Sequence, residues 1–414
     1  MITIKPFKGY RPLAEFVKLV ASRPYDVMNR QEAKEEAKGN PYSFLHVIRA
    51  EIDLPDDVDE HDNQVYEKAR DNFRAQLDAG IFFQDEKSML YVYELEMNEQ
   101  LQTGLVACSS VEDYFADRIK KHEHTRPAKE MDRIRHMKLT RIHSEPVFLA
   151  YRDVQEVNEL TERITQSKNP VYDFEADDGV RHRFWVLDDE KHTIKLTKIF
   201  KEKVPCTYIA DGHHRAASAA KVGKGMAEEN PNHSGEEEYN FFLSVLFPAS
   251  QLRIMDYNRL VKDLNGYDVE KFLQKVSVNF AVQPVPDELA KPRHPHEFGM
   301  YLEGKWYKLT PREGTCRHDP IGVLDVTILQ ENLLAPVLGV NDPRTDERID
   351  FVGGIRGLKD LKQRVDSGEM KVAFALYPVT MEQLMEIADA GSVMPPKSTW
   401  FEPKLRSGMV VHWF

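Results

Sequence analysis

Apolar and polar positions follow two rhythms along this chain. In NQVYEKARDNFRAQLDAG (63–80), Val65, Ala69, Phe73 and Leu77 recur every fourth residue, one face of a helix, and Gly80 marks its stop. Short runs dense in β-branched and aromatic residues predict strands instead: SMLYVYELEM at 88–97, VFLAYR at 147–152, RHRFWVLD at 181–188 and CTYIAD at 206–211. FFLSVLFP (241–248) is apolar throughout, as expected of a strand buried on both faces. SFLHVIRAEIDL (43–54) reads as one more strand by its alternation, with Glu51 near its end. Helical character returns at Glu32–Lys38 before Gly39, through most of the charged stretch 113–142, and from His213 onward. Beyond residue 260, DVEKFLQKV and LKDLKQRVDSGE read as helices and KVAFALYPV as a strand. TMEQLMEIADAG reads as a helix that Thr380 can cap.

This mixture predicts an α/β or α+β protein with mixed sheets. A chain of 414 residues is too long for one small core, so several lobes are expected. The natural divisions are an N-terminal α/β segment at 1–100, a core at 101–260 and a C-terminal lobe at 261–414. The acidic, Pro/Gly/Ser-containing run AEENPNHSGEEEYN (227–240) reads as a surface loop. No repeat or low-complexity tract interrupts the pattern.

Charge and cysteine content narrow the class. The formal net charge is −12, which argues against a general nucleic-acid binder, so DNA is not an expected partner. Cys108, Cys206 and Cys316 are widely separated and form no CxxC pair, which disfavours a disulfide framework or structural zinc and fits a reducing compartment. The opening MITIKPFKGYRP lacks the apolar core of a signal peptide, and no apolar run reaches the roughly 18–20 residues of a membrane span. A cytoplasmic protein without a membrane partner is the expectation; a homo-oligomer is left open.

The densest candidate chemistry is YIADGHHRAASAAKVGKG (208–225), where a β-rich run meets an alanine-rich helical one. Gly212 lies at the junction, where a side chain would obstruct close approach. The amides of Gly212, His213, His214 and Arg215 would point out of a first helical turn, whose unpaired donors and dipole suit a phosphate or carboxylate. Arg215 adds a guanidinium fork. His213 and His214 can donate to phosphate oxygens or relay protons. Asp211 can orient a histidine or offer oxygen to Mg²⁺. Simple capping by Asp211, with structural histidines, is the plainer alternative.

Other clusters are more ambiguous. Glu51, two residues after Arg49, and Asp26 in PYDV are candidate bases for a hydroxyl proton, or else a solvated strand-end glutamate and a turn carboxylate. In KHEHTRP, an extended backbone would put His122 and His124 on one face. MPPKSTWFEPK sets Lys397, Ser398 and Thr399 after two stiffening prolines, which suits a phosphate or carboxylate, and Trp400 and Phe401 could stack on a base. FVGGIRGL (351–358) has three glycines but fits neither a dinucleotide fingerprint nor a P-loop.

Several motifs occur together, in order: IKPFKGYRP, RPYDV, NPYSFLHVIRAE, KHEHTRPAKEMDR, YIADGHHR and MPPKSTWFEPK. With these the chain resembles, nearly end to end, the bacterial family catalogued as domain of unknown function 1015. Its DGHHR element resembles the nucleotide-binding motif of the ParB/sulfiredoxin-like superfamily, which includes kinases of free serine that use ADP or ATP. That resemblance implies a ParB/sulfiredoxin-like nucleotide-binding core in which Gly212, His213, His214 and Arg215 cradle phosphates. It also implies a glutamate on the N-terminal side as base. The reading that follows is a small-molecule kinase with L-serine as acceptor, ATP or ADP as donor, and Mg²⁺. Arg215 and Lys397 would hold the phosphates, and Glu51, Asp26 or His214 would handle the proton. A non-catalytic nucleotide-responsive or DNA-associated module is one rival. A metal-dependent hydrolase built on Asp211, His213 and His214 is another.

Overall fold

The computed structural model describes residues 1–414. The chain packs into two units, one formed by Met1–Leu252 with Pro403–Phe414 and the other by Arg253–Glu402. The fold is α/β.

The first unit is organised by a nine-stranded mixed sheet. Across it run Ile119–Lys120, Thr207–Asp211, Val147–Tyr151, Phe241–Pro248, Gln100–Ser110, Leu90–Met97, Arg181–Leu187 and Tyr172–Glu175, and Ile4–Lys5 also pairs with Gln100–Ser110. Val147–Tyr151 lies parallel to Phe241–Pro248, and Thr207–Asp211 parallel to Ile119–Lys120; the other pairings are antiparallel. Phe241–Pro248 and Val147–Tyr151 are buried at every position, which explains their unbroken apolar sequences. At the edge, Tyr172–Glu175 alternates buried and more exposed positions, as a half-solvated strand should. Helices Gln155–Ser167, Glu190–Lys203 and His213–Glu229 contribute apolar faces to the main core with Leu149, Leu160, Leu196, Ile209, Ala216, Ala220 and Leu246.

A second cluster in this unit gathers the N-terminal segment around Phe44, Ile48, Phe73 and Phe82. Here the structure corrects the reading of 43–54 as a strand. Leu45–Ile48 is a helical turn, and Ala50–Asp53, carrying Glu51, is a 3₁₀ turn. Phe44, Leu45, Val47 and Ile48 are all buried, a spacing of one, three and four residues that belongs to a helix face. Alternation over so few residues is a weak strand signal, and it lost to that packing. Asn63–Asp78 is a helix, with Val65, Ala69 and Phe73 buried as the four-residue spacing requires.

The second unit is built on a six-stranded antiparallel sheet in the order Phe280–Val285, Lys305–Pro311, Phe298–Leu302, Val372–Ala375, Tyr257–Val261 and Ile349–Gly353. Thr380 caps its helix Met381–Asp389 in a capping box with Gln383. No helix of either unit is long and apolar enough to cross a membrane.

Candidate functional site

Strand Thr207–Asp211 passes directly into helix His213–Glu229 through Gly212. The strand register shifts between Ile209 and Asp211, a local irregularity that re-aims the last side chain. Gly212 has φ +94°, and a Cβ there would lie 2.9 Å from Nε of Arg215. Glycine is therefore required twice, for the left-handed backbone and for the guanidinium folded back over it.

Arg215 is buried and already engaged. Its Nη1 donates to the Pro146 carbonyl at 2.6 Å, and its Nη2 donates to Oδ2 of Asp211 at 3.1 Å. Lys404 Nζ reaches the same carboxylate oxygen at 3.5 Å. Although burial opposes ionisation, Lys404, Arg215 and His213 hold the Asp211 carboxyl down to a pKa of about 2. Asp211 is thus a carboxylate neutralised by two cations. No group of three His, Cys, Asp or Glu side chains is placed to hold a metal ion, at Asp211 or elsewhere.

The two histidines are neutral acceptors. Nε2 of His213 accepts from the His122 amide at 3.5 Å, and the two rings meet edge-on with centroids 4.5 Å apart. Nε2 of His214 accepts from the Arg126 amide at 3.0 Å. Burial lowers the pKa of both, reinforced by His122 at His213 and by Lys129 at His214. His122 is buried whereas His124 is exposed, so the two do not share the environment that their spacing suggested.

The Arg126–His214 bond matters because Arg126 is the N-cap of helix Pro127–Thr140. That helix lies beside His213–Glu229: Ser218 Oγ donates to the Glu130 carbonyl at 3.1 Å, and Lys221 pairs with the Glu130 carboxylate. Both helices start at the same end. Their first-turn donors and positive dipole ends therefore add at one place, around His214.

A cleft of about 290 Å³, lined by none of Asp211–Arg215, is linked to this place through Lys129 and Asp26, which act electrostatically on His214. Asp26, Glu51, Lys129 and Arg133 line it. Glu51 is buried, 4% exposed, with Oε1 2.7 Å from Nε of Arg49. Burial lifts its pKa above the ordinary carboxylate value, and Arg49 only partly offsets this. Asp26 acts electrostatically on both His214 and Arg215. Glu145 joins the cleft to the turn. It accepts from the Tyr25 amide at 3.0 Å, lies 3.8 Å from Nη1 of Arg133, and precedes the Pro146 carbonyl that holds Arg215. Burial raises the Glu145 pKa against the pull of Arg215 and Arg133.

Asp26 and Glu51 line the cleft, Asp211, Gly212, His213, His214 and Arg215 form the turn outside its lining, and all seven belong to the first unit. Lys397, Ser398 and Thr399 belong to the second. There Ser398 Oγ donates to the Pro395 carbonyl at 2.6 Å, and the Lys397 carbonyl accepts from Arg259 Nη2 at 2.9 Å. Trp400 packs over Gly353, where a Cβ would meet the indole at 3.1 Å, and a Cβ at Gly354 would meet the Asp256 carboxylate, so these two glycines of FVGGIRGL serve packing. Tyr25, Arg133, Glu145 and Lys404 do not stand out in the sequence, although Tyr25, Arg133 and Lys404 lie inside RPYDV, KHEHTRPAKEMDR and MPPKSTWFEPK. Glu145 carried no signal.

An α/β protein with a buried cluster of carboxylates, arginines and histidines at a strand-to-helix turn is the class that this fold and site define. The family described as "Protein of unknown function (DUF1015)" matches residues 4–327, and the chain belongs to it. No curated protein matches the sequence. Among solved structures, a free serine kinase in complex with AMP is similar at 17% identity and a TM-score of 0.35, covering 69% of this chain and 84% of that one. A conserved hypothetical protein from Pyrococcus furiosus is similar at 18% identity and a TM-score of 0.34, covering 70% and 90%. SbnI from Staphylococcus aureus, truncated at its C-terminus, is similar at 11% identity and a TM-score of 0.36, covering 72% and 82%. Likeness at this level carries no functional weight, which rests on the site itself.

Proposed function

We propose that the protein is a small-molecule kinase that phosphorylates a small hydroxyl-bearing amino acid, L-serine first, using ATP or ADP. One observation carries the reading: a buried glutamate, Glu51, lines a small cleft whose Asp26 and Lys129 act electrostatically on His214, where two helix N-termini start together. Phosphoryl transfer needs little covalent chemistry from the protein. It needs the donor phosphates held, their charge offset and the acceptor hydroxyl deprotonated. The first turns of His213–Glu229 and Pro127–Thr140 would hold the phosphates. This is the role that the ParB/sulfiredoxin-like resemblance of DGHHR assigns to Gly212–Arg215. Arg215, with both Nη atoms engaged, acts by fixing Asp211 and the turn as well as by its charge.

Glu51 is the base. Its raised pKa makes it a stronger proton acceptor than a solvated carboxylate, and Arg49 orients it. It takes the acceptor's hydroxyl proton as the oxygen bonds to the terminal phosphorus, and the bridging P–O bond breaks with its electron pair leaving on the nucleotide. Asp26 is the second candidate base, and His214 would need its Nδ1, since Nε2 is occupied. Mg²⁺ would travel with the nucleotide phosphates. Asp211, already paired with two cations, does not fit as its protein ligand.

The test is phosphoserine formation from L-serine with ATP or ADP, read by mass spectrometry. Product from either donor is expected. Nucleotide binding without product would leave a non-catalytic nucleotide-binding role, and neither binding nor product would remove the reading.

A further inference from the structure

We infer that Tyr25 and Arg133 form the seat of the acceptor's carboxylate, so that the cleft selects a small zwitterionic amino acid over a neutral or purely cationic alcohol. This rests on the kinase reading of the same site and adds the groups that choose the substrate.

Both residues line the cleft and both are more than nine-tenths buried, Tyr25 at 6% and Arg133 at 7% exposure. Each keeps one polar atom without a hydrogen-bond partner in the protein: Oη of Tyr25 and Nη1 of Arg133. Buried donors left unpaired are costly and uncommon, and when they belong to two residues that line one cleft they mark where a ligand's acceptor belongs. The rest of Arg133 is rigidly held. Nε donates to Oδ2 of Asp132 at 2.8 Å, and Nη2 lies 2.7 Å from the same oxygen. Asp132 is itself fixed, since Tyr66 donates to its Oδ1 at 2.8 Å. The guanidinium stacks on the Tyr25 ring, 4.1 Å from its centroid, which keeps the two side chains in register. Glu145, the nearest carboxylate to Nη1, stays at 3.8 Å, beyond hydrogen-bond reach. The ligand that two unpaired donors on a cation–tyrosine pair recognise is a carboxylate.

The surrounding charge says that the ligand has a second, opposite charge. The cleft lining carries four carboxylates and four Lys or Arg cations. A net-neutral lining suits a zwitterion, whose ammonium finds carboxylates while its carboxylate finds Arg133. A dianion would be left partly uncompensated there. The volume, about 290 Å³, lies at the lower edge of the range of about 300–1,000 Å³ typical of ligand pockets, which fits a molecule of a few heavy atoms.

The experiment is calorimetric titration of the full-length protein with L-serine, with L-alanine, which lacks the hydroxyl, with ethanolamine, which lacks the carboxylate, with inorganic phosphate and with ADP. Wild type should bind serine and alanine, with ethanolamine weaker by ten-fold or more. Tyr25→Phe should weaken serine and alanine by roughly ten-fold, the loss of one hydrogen bond to a charged group, and leave ethanolamine and ADP unchanged. Because the removed hydroxyl is unpaired, the unliganded Tyr25→Phe protein should melt no lower than wild type, which separates a lost contact from a lost fold. Arg133→Lys should raise the serine KM far more than it lowers kcat. The inference is overturned if wild type binds neither amino acid, if ethanolamine matches serine, or if Tyr25→Phe spares alanine. It is also overturned if that variant weakens only phosphate. Alanine binding without phosphoryl transfer by the wild type would keep the seat and sink the kinase. Transfer at wild-type KM in both variants would do the reverse.

Discussion

At the scale of single residues, Glu51 and Gly212 make the sharpest predictions. Glu51→Gln keeps the shape of the side chain and removes its basicity, so phosphoserine formation should fall by roughly 10²-fold or more while ADP binding persists. The pH profile gives a second reading. A base must be ionised, and burial raises this one, so wild-type kcat should fall on acidification at a pH above the ordinary carboxylate value of 4.5. Full activity in Glu51→Gln would move the base to Asp26. Gly212→Ala puts a Cβ 2.9 Å from Nε of Arg215 at φ +94°. The left-handed backbone alone costs about 1–2 kcal/mol for a non-glycine residue. Thermal melts should show that loss, and titration should show weakened nucleotide binding because Arg215 is displaced from Asp211. The sequence placed Gly212 at the strand-to-helix junction because such a junction has few other solutions. It could not show that Arg215 turns inward, since that depends on the Pro146 carbonyl, 69 positions earlier.

At the scale of elements, the site is a meeting of segments. The helix starts at Pro127 and His213 abut, strand Thr207–Asp211 delivers the turn, and the C-terminal segment runs alongside. From that segment Lys404 reaches Asp211, Ser407 reaches Glu145 at 3.3 Å, and His412–Trp413 pair with Ile142–His143. Lys404→Met should therefore raise the Asp211 pKa and weaken nucleotide binding, with the fold retained because the strand pairing is untouched. Titration with ADP checks the first effect and circular dichroism the second; unchanged ADP affinity would show Lys404 to be only a structural partner. Period and composition made most elements legible, including helices Asn63–Asp78 and Met381–Asp389 and strand Phe241–Pro248. Residues 43–54 carry a strand-like pattern because Phe44–Ile48 is short enough to satisfy either period, and burial of four of its side chains chooses the helix.

At the scale of the whole molecule, buried histidines set the response to acid. Burial lowers His122 and His136 to about 4 and His182 to about 3, against an ordinary value of 6.5. Their folded values lie below their unfolded ones, so the unfolded chain binds more protons as pH falls. The stability they contribute is complete above 6.5 and is lost as pH drops toward 4. Glu51, Glu145 and Asp325, raised by burial, and His46, raised by its bond to Asp53, work in the opposite sense, but they are fewer than the lowered histidines once His143, His213, His214 and His412 are added. Urea melts should therefore give a falling unfolding free energy between pH 7 and about 5, and a flat profile would contradict the neutral histidines. The net charge of −12 predicts weak DNA binding without sequence preference at physiological salt, checked by fluorescence anisotropy. Tight, selective binding would favour a DNA-associated role.

By itself the sequence determined most of the segments that pair as strands or coil as helices, 43–54 excepted, where the strand-to-helix turn falls, and which family the chain belongs to. These are local or linear properties, set by period, by glycine and by ordered motifs. The tertiary structure decided which of the many charged residues face each other. It brought Tyr25, Glu51, Arg133 and Glu145 into one buried network with the turn at Gly212, and it left Lys397 and Ser398 in the other unit. The physical reason is that a charge acquires a role only from burial and from partners a few ångströms away. Those partners come from segments as far apart in sequence as Asp211 and Lys404, so no window along the chain contains them.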